Sequence, residues 1–326
     1  MQLHVILRWC TLVVITGGLV SCQLPNRYLM YPQEVPPRVQ AWAEDVDTGA
    51  LRLHLEWARP AGAGPFPTVL VHPDGSATAA DMRGVIWDLA SRGYLAVAAD
   101  YRRLREGTYR RTLLPWCNDA DVTQVLEVLR TQPLVDPQRL AALGFSQGGI
   151  FSLLIAAHAP DIKAVVAYYP VTDFPQWLAA PRANLMKRFV FHMIREYFRR
   201  EAESCTEEPW QTVLQKASPL YQAERIQAPV LLLHGDEDGA APVDESRRLA
   251  ARLSALGRDV ELVVIAGGRH VFNFKHPAQA QYAWQVALQW LARHLGTTSV
   301  SQPSTDTHAE KRHASAVCKD EPDGPA

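Results

Sequence analysis

Short, continuous apolar runs alternate with segments of helical periodicity over most of the chain. The runs cover residues 68–71, 94–99, 140–143, 164–167, 230–233 and 260–265. A continuous apolar run is typical of a strand that is buried on both faces, and an intervening helix is the usual connection between parallel strands. The pattern therefore predicts an α/β fold with a mainly parallel central sheet flanked by helices.

The amino-terminal part of this predicted domain has a different pattern of apolar and polar residues. Leu53, Leu55 and Trp57 alternate with Arg52, His54 and Glu56, which predicts a strand with one solvated side. Turn-forming residues 47–49 separate it from segment 39–46. We expect an antiparallel hairpin at one edge of the sheet.

About sixty residues separate the strand that ends near Tyr168 from the one that starts at Val230, where a single crossover helix would suffice. Within this insertion, apolar residues recur every four positions, at Leu185, Phe189, Met193 and Tyr197, and basic residues lie among them. The insertion is either a solvated helix or a lid over a site. Long insertions in compact domains favour a helical lid, which we place at about 172–222.

The first residues resemble an export signal. Arg8 precedes an apolar run over 9–20 that is too short to span a bilayer comfortably. The run ends in Leu19-Val20-Ser21-Cys22, which resembles the lipobox of bacterial lipoproteins. This resemblance implies a signal peptide over 1–21, acylation of Cys22, a linker over 22–38 and a membrane-anchored exported protein. Gln23 in place of Asp favours the outer membrane; an ordinary secretory signal is the alternative.

The carboxyl-terminal residues 297–326 are rich in Ser, Thr, Pro and charged residues, and we expect a disordered tail. The folded domain then covers 39–296. If Cys10 is removed and Cys22 is acylated, Cys117, Cys205 and Cys318 remain. Two possibilities remain open: a disulfide bond between Cys117 and Cys205, or three unpaired thiols.

The charge composition argues against one class of function. Among 326 residues, 33 basic and 34 acidic side chains give a net charge of −1, and no long basic run occurs. The electrostatic footprint of a nucleic-acid-binding protein is therefore missing. The chain has neither H-E-x-x-H nor a cluster of cysteine and histidine at metal-binding spacing, so we predict no metal and no cofactor.

The stretch AALGFSQGGIFSLLIAA, residues 141–157, contains a candidate nucleophile. Ser146 lies where a predicted strand turns into a predicted helix, and Gly144 and Gly148 remove side chains that would collide across the turn. Such a turn exposes the hydroxyl at the carboxyl end of the sheet. The backbone N–H of Gln147 would then point to the position of a developing oxyanion.

A serine hydroxyl needs a base and an orienting carboxylate. Asp236 and Asp238 follow the run 230–233, and His270 follows the run 260–265. Both segments lie past the carboxyl ends of predicted strands, where ligands bind in open α/β sheets.

These residues resemble the α/β-hydrolase superfamily over about 40–295, with the order nucleophile, acid, histidine. The similarity is sharpest in VLVHPDGSA, LGFSQGGIFSLLIAA, APVLLLHGDEDGAAPV and GGRHVFNF, and is greatest to dienelactone hydrolase-like proteins and prolyl oligopeptidase catalytic domains. The resemblance implies Ser146 as nucleophile, His270 as base and Asp238 as acid, with Asp236 as the competing acid.

The first loop departs from the pattern. Many members have His-Gly-Gly, whereas this chain has His72-Pro73-Asp74-Gly75. The resemblance implies a second oxyanion donor at the backbone N–H of Asp74 or Gly75, beside that of Gln147, and an Asp74 side chain there would hinder catalysis unless it points away. We expect His72 and His234 to be structural hydrogen-bonding residues.

Together these features predict an exported serine hydrolase that cleaves a small-molecule ester or thioester through an acyl-enzyme. One alternative is a peptidase of the prolyl oligopeptidase type, although too few residues precede the domain for the propeller of those peptidases. Another is a lipoprotein that uses the fold for binding without catalysis. The sequence leaves the oligomeric state open.

Overall fold

The computed structural model describes residues 30–48, 51–105, 108–111, 119–180, 185–204 and 206–296. Its centre is a nine-stranded sheet with the order β1-β2-β4-β3-β6-β7-β8-β9, in which β5 pairs with β4. The strands are β1 Val39–Asp47, β2 Leu51–Pro60, β3 Phe66–His72, β4 Leu95–Arg105, β5 Thr108–Arg111, β6 Val135–Phe145, β7 Ile162–Tyr168, β8 Val230–Gly235 and β9 Val260–Ile265.

From β4 to β9 the neighbours along this order run parallel, as the continuous apolar runs predict. The described helices are α1 Arg83–Ser91, α2 Asp119–Thr131, α3 Gln147–His158, α4 Phe174–Ala179, α5 Leu185–Glu203, α6 Trp210–Lys216, α7 Asp244–Ala255, α8 Phe272–Lys275 and α9 Pro277–Leu295.

The sheet has a hydrophobic core on each face. Leu70 of β3 packs into the core that α2, α3 and α7 cover, whereas its neighbours Val69 and Val71 pack into the core under α1 and α9. This alternation follows from the two-residue period of a strand. Because helices cover both faces, ligands can reach the sheet mainly at the ends of its strands.

The predicted hairpin at the edge of the sheet is present, with β1 antiparallel to β2 and β2 antiparallel to β4. The expected solvated side of β2 is wrong at Glu56, which is only 4% exposed. Helix α1 covers this position, and Arg83 pairs with both Glu56 carboxylate oxygens, at 3.0 and 2.7 Å. The ion pair allows a carboxylate to lie under the helix.

Two further predictions need adjustment or remain open. Strand β6 is longer than the apolar run 140–143, because it begins at Val135 and includes the Asp136-Pro137 dipeptide. Helices α4, α5 and α6 occupy the predicted insertion between β7 and β8. Their role as a lid remains a proposal. None of the described helices is long and apolar enough to span a bilayer.

Candidate active site

Ser146 lies at the junction of β6 and α3, in a conformation that non-glycine residues rarely adopt, with φ of 53° and ψ of −113°. Its N–H donates to the Tyr168 carbonyl at 2.8 Å, and the surrounding strands and α3 hold the strained backbone in place. The turn leaves the hydroxyl accessible at the carboxyl edge of the sheet. This is the local geometry that the G-x-S-x-G stretch predicts.

The two glycines permit the turn by close backbone approach. A Cβ atom on Gly144 would lie 2.0 Å from the Gly148 carbonyl oxygen, and one on Gly148 would lie 2.1 Å from the carbonyl oxygen of His72. Neither backbone atom can move independently, because both belong to packed elements.

We therefore expect Gly144→Ala to lower the free energy of unfolding by about 3 kcal/mol, because overpacking displaces backbone. Gly239→Ala is the matched control, since a Cβ there would meet nothing within 4 Å. Urea unfolding of the two variants measures the difference. Equal unfolding midpoints for both variants would show that the turn tolerates a side chain.

A continuous hydrogen-bonded row leads from Ser146 into the protein. The Ser146 Oγ atom lies 2.9 Å from Nε2 of His270, and Nδ1 of the same ring lies 2.6 Å from Oδ2 of Asp238. An ionised carboxylate only accepts hydrogen bonds, so Nδ1 carries the proton and Nε2 can accept one from the serine. The row can thus remove a proton from the hydroxyl and hold the imidazolium that forms.

The surroundings of Asp238 favour the ionised form of its carboxyl group. Its side chain is buried, and Oδ1 accepts hydrogen bonds from the N–H groups of Ala240 at 2.9 Å and Ala241 at 2.8 Å. Burial alone would raise the pKa of Asp238, but His234, His270 and the Ala241 N–H together hold this pKa well below its usual range. A permanently charged acceptor fixes the orientation of the His270 ring.

Asp236, the competing acid, has a different partner. Its carboxylate is exposed and accepts a hydrogen bond from the Gly267 N–H at 2.7 Å, which joins the loop after β8 to the loop after β9. With Asp236 held in this way, the carboxylate two residues further along, that of Asp238, is the one that contacts His270.

His72 forms part of a directed hydrogen-bond chain beneath the serine turn. The Ser152 hydroxyl donates to the Gly148 carbonyl at 2.9 Å, so it can only accept from Nδ1 of His72, which is 2.9 Å away. The Nε2 atom then accepts from the Tyr101 hydroxyl at 2.8 Å. Burial lowers the pKa of His72 to about 3, which keeps the ring neutral, as this chain requires.

His234 is likewise enclosed. Its Nε2 atom donates to the Ala241 carbonyl at 2.8 Å, and its Nδ1 atom is hydrogen-bonded to the Ser246 hydroxyl at 2.7 Å. These bonds brace the loop that carries Asp238. Neither His72 nor His234 is hydrogen-bonded to Ser146 in the described structure.

The loop after β3 adjoins the serine turn. An added Cβ on Gly75 would lie 3.4 Å from Oε1 of Gln147, so the loop and this residue are neighbours. Asp74 turns its Oδ1 into its own loop, where it accepts from the Ser76 N–H and hydroxyl, each at 2.7 Å, and from the Ala77 N–H at 3.1 Å. The choice of Asp74, Gly75 and Gln147 as oxyanion donors stays a prediction.

A small cavity lies between this loop, the middle of β4 and the start of α3. Its lining combines stacked aromatic rings with a buried carboxylate: His72, Pro73, Ala99, Asp100, Tyr101, Gln147 and Phe151. The Tyr101 and Phe151 rings are 5.2 Å apart and nearly parallel. The cavity reaches Gln147, the neighbour of Ser146.

Sequence reasoning missed the residues that support His270. Tyr169 has a left-handed φ of 41°, its ring packs against the His270 ring at 4.8 Å, and its hydroxyl donates to Asn273 Oδ1. Trp177 of α4 donates from Nε1 to the Ala240 carbonyl at 2.8 Å. These contacts join residues far apart along the chain, and no periodicity or motif marks them.

Several predictions fall outside the described residues: the signal peptide, acylation of Cys22, the state of Cys117 and Cys205, and the tail with Cys318. Within the described ranges, no group of three or more His, Cys, Asp or Glu side chains is placed to hold a metal ion.

The family model for the prolyl oligopeptidase family matches residues 85–298, a stretch that includes Ser146, Asp238 and His270. The chain belongs to the prolyl oligopeptidase family. The match runs from α1 to just beyond α9 and so covers most of the sheet described above.

The chain is also similar to proteins that carry different enzyme names. A relative named "Putative carboxymethylenebutenolidase", from Escherichia coli (strain K12), is 26% identical over 254 residues, which are 73% of this chain and 80% of that protein. The esterase Est2 of Thermogutta terrifontis has a TM-score of 0.60 at 22% identity, over 80% of this chain and 95% of that one.

The acylaminoacyl peptidase of Pyrococcus horikoshii has a TM-score of 0.64 at 20% identity, over 82% of this chain but 43% of the peptidase. At these identities the structural likenesses establish the fold alone. Together with the family match, they support a hydrolase of the α/β-hydrolase fold.

Proposed function

We propose that the protein is a serine esterase that acts on a small-molecule carboxylic ester or thioester. The observation that supports this best is the unbroken row of hydrogen bonds from Ser146 through His270 to the buried carboxylate of Asp238. It occurs in a member of a hydrolase family, at the carboxyl edge of the sheet where a ligand can enter.

In this mechanism, Oγ of Ser146 attacks the acyl carbon while Nε2 of His270 takes the hydroxyl proton. Asp238 stabilises the imidazolium, and the Gln147 N–H with an N–H of loop 74–75 binds the oxyanion. Collapse of the tetrahedral intermediate transfers the proton from His270 to the leaving alcohol or thiol. A water molecule, deprotonated by the same histidine, then hydrolyses the acyl-enzyme and restores Ser146.

Peptide-bond hydrolysis is the second candidate, because the family includes peptidases and the P. horikoshii acylaminoacyl peptidase shares the fold. The same row of residues can serve both reactions, since each passes through a tetrahedral intermediate. A non-catalytic binding role is less well supported, because a complete hydrogen-bonded row is present.

A panel of p-nitrophenyl esters from acetyl to long acyl chains, assayed beside aminoacyl and acyl-aminoacyl p-nitroanilides, tests the proposal. We expect ester turnover to exceed anilide turnover in kcat/KM, with one preferred acyl length. Preferred turnover of the anilides would replace the esterase by a peptidase. Absence of turnover and of labelling by a fluorophosphonate probe would favour a binding protein.

We also propose that the segment over 172–222 acts as a lid and that an acyl group on Cys22 anchors the exported protein to a membrane. The bond from Trp177 to Ala240 supports the first proposal, because it places α4 against the loop of Asp238. The Leu-Val-Ser-Cys tetrad supports the second. Cys22→Ser is expected to abolish incorporation of labelled palmitate into the chain, and unchanged incorporation would contradict the anchor.

A further inference from the structure

Helix α5 exposes large apolar side chains close together. Among the described residues, seven large hydrophobic side chains are exposed, and three of them lie within 185–189: Leu185 at 79%, Met186 at 58% and Phe189 at 60%. The other four are scattered singly over the surface and need no special explanation. A cluster of this kind on the first turns of a helix indicates a surface that contacts something other than water.

The charges around this cluster have one sign. Residues 185–195 contain Lys187, Arg188 and Arg195 and no Asp or Glu, so their formal charge is +3. The second half of α5 differs, because Arg199 there pairs with Glu196 at 2.8 Å and with Glu203 at 2.5 Å. The second half of the helix thus carries charges of both signs, whereas the sequence 185–195 carries only positive ones.

The other side of α5 holds it on the domain near the candidate site. The Phe191 ring packs against Trp177 at 4.9 Å, and Phe198 packs against Phe174 at 5.8 Å. Trp177 donates to the Ala240 carbonyl, next to the loop of Asp238. The exposed cluster therefore belongs to the same end of the molecule as Ser146.

We propose that residues 185–195 form a docking surface for an anionic lipid membrane. Exposed Leu, Met and Phe side chains can enter the boundary between head groups and acyl chains, while Arg188 and Arg195 pair with lipid phosphates. Uniform positive charge complements an anionic surface and opposes the approach of a second identical copy of the helix. Docking here would hold the mouth of the site against the membrane, independently of which bond the enzyme cleaves.

Co-sedimentation of the full chain with vesicles tests the proposal. The test compares binding to phosphatidylcholine vesicles with binding to vesicles that also contain phosphatidylglycerol. Every chain in it carries Cys22→Ser, so that no acyl anchor contributes to binding. The double variant Leu185→Ser/Phe189→Ser is expected to bind the anionic vesicles at least about tenfold more weakly, because two apolar side chains no longer enter the lipid. Arg188→Gln is expected to weaken binding about fivefold, and on the anionic vesicles only.

Tyr282→Ser is the matched control, since Tyr282 on α9 is 54% exposed and lies outside the cluster. It is expected to bind like the parent chain. All these side chains are exposed, so unchanged thermal unfolding midpoints will show that each variant is folded.

Hydrogen exchange of the peptide 185–195 provides a local measurement that the amino-terminal apolar run does not affect. We expect slower exchange in this peptide when anionic vesicles are added. Equal vesicle binding of the double variant and Tyr282→Ser, without such protection, would overturn the proposal. Protection that grows with protein concentration in the absence of lipid would overturn it too, in favour of contact between two copies of α5. Ester turnover enters none of these measurements, so failure of the esterase proposal would leave them interpretable.

Discussion

Ser146→Ala is expected to reduce kcat for the best ester by about 10⁴- to 10⁶-fold, because no other group can form the acyl-enzyme. The same change should abolish labelling by a fluorophosphonate probe. The side chain is small and only partly buried, and the strained turn is held by backbone contacts, so folding should be unaffected. Steady-state kinetics and thermal unfolding of the same preparation measure the two effects.

Ser91→Ala is a suitable control for this experiment. Ser91 is exposed at the end of α1 and bonds only to the Asp88 carbonyl among described contacts, at 2.7 Å. Its replacement should leave kcat and labelling unchanged. Retention of full ester turnover by Ser146→Ala, beside a fully active Ser91→Ala, would refute the proposed nucleophile.

Asp238→Asn is expected to lower kcat by about 10⁴-fold. An amide can donate to Nδ1 of His270, which favours the tautomer with its proton on Nε2, and that nitrogen can then no longer accept the proton of Ser146. The pKa of Asp238 is held below its usual range, so the carboxylate is ionised near neutral pH. Protonation of Asp238 therefore cannot cause an acid limb of the pH–rate profile near neutral pH.

Asp236→Asn is the matched variant, with the same chemical change two residues away. Its Oδ1 atom can still accept the hydrogen bond from Gly267, which keeps the two loops joined. We expect its kcat to stay within a few-fold of the parent enzyme. A larger loss of kcat in Asp236→Asn than in Asp238→Asn would reverse the assignment of the acid.

The insertion and the candidate site are physically connected. Trp177 contacts Phe191 of α5 with its ring and Ala240 with its indole N–H, so a displacement of α5 can reach the loop that holds Asp238. If α5 binds a membrane, the contact also fixes the orientation of the site. This connection gives the proposed lid and the proposed docking surface a common structural basis.

Local sequence signals determined most of the architecture. Continuous apolar runs marked strands β3, β4 and β6 to β9, and alternation at 51–57 marked the edge hairpin. The glycines beside Ser146 marked its turn, because only residues without a Cβ permit the backbone approach seen there. The order of Ser146, Asp238 and His270, each past the end of a strand, also indicated that the three would meet at one edge of the sheet.

Only the tertiary structure decided how the parts meet. The 124 positions between Ser146 and His270 are bridged by the sheet, and the choice of Asp238 to contact His270 depends on how two loops pack. Burial of the Glu56 carboxylate depends on its ion pair with Arg83 of α1. The ring of Tyr169 contacts the ring of His270 because Tyr169, directly after β7, has a left-handed backbone conformation. Sequence periodicity reports which faces of an element are apolar, whereas the partner of each face depends on packing between distant segments. For the same reason, the periodicity of 185–197 left a solvated helix and a lid both open, and only the position of α5 in the fold showed that Leu185 and Phe189 face outward.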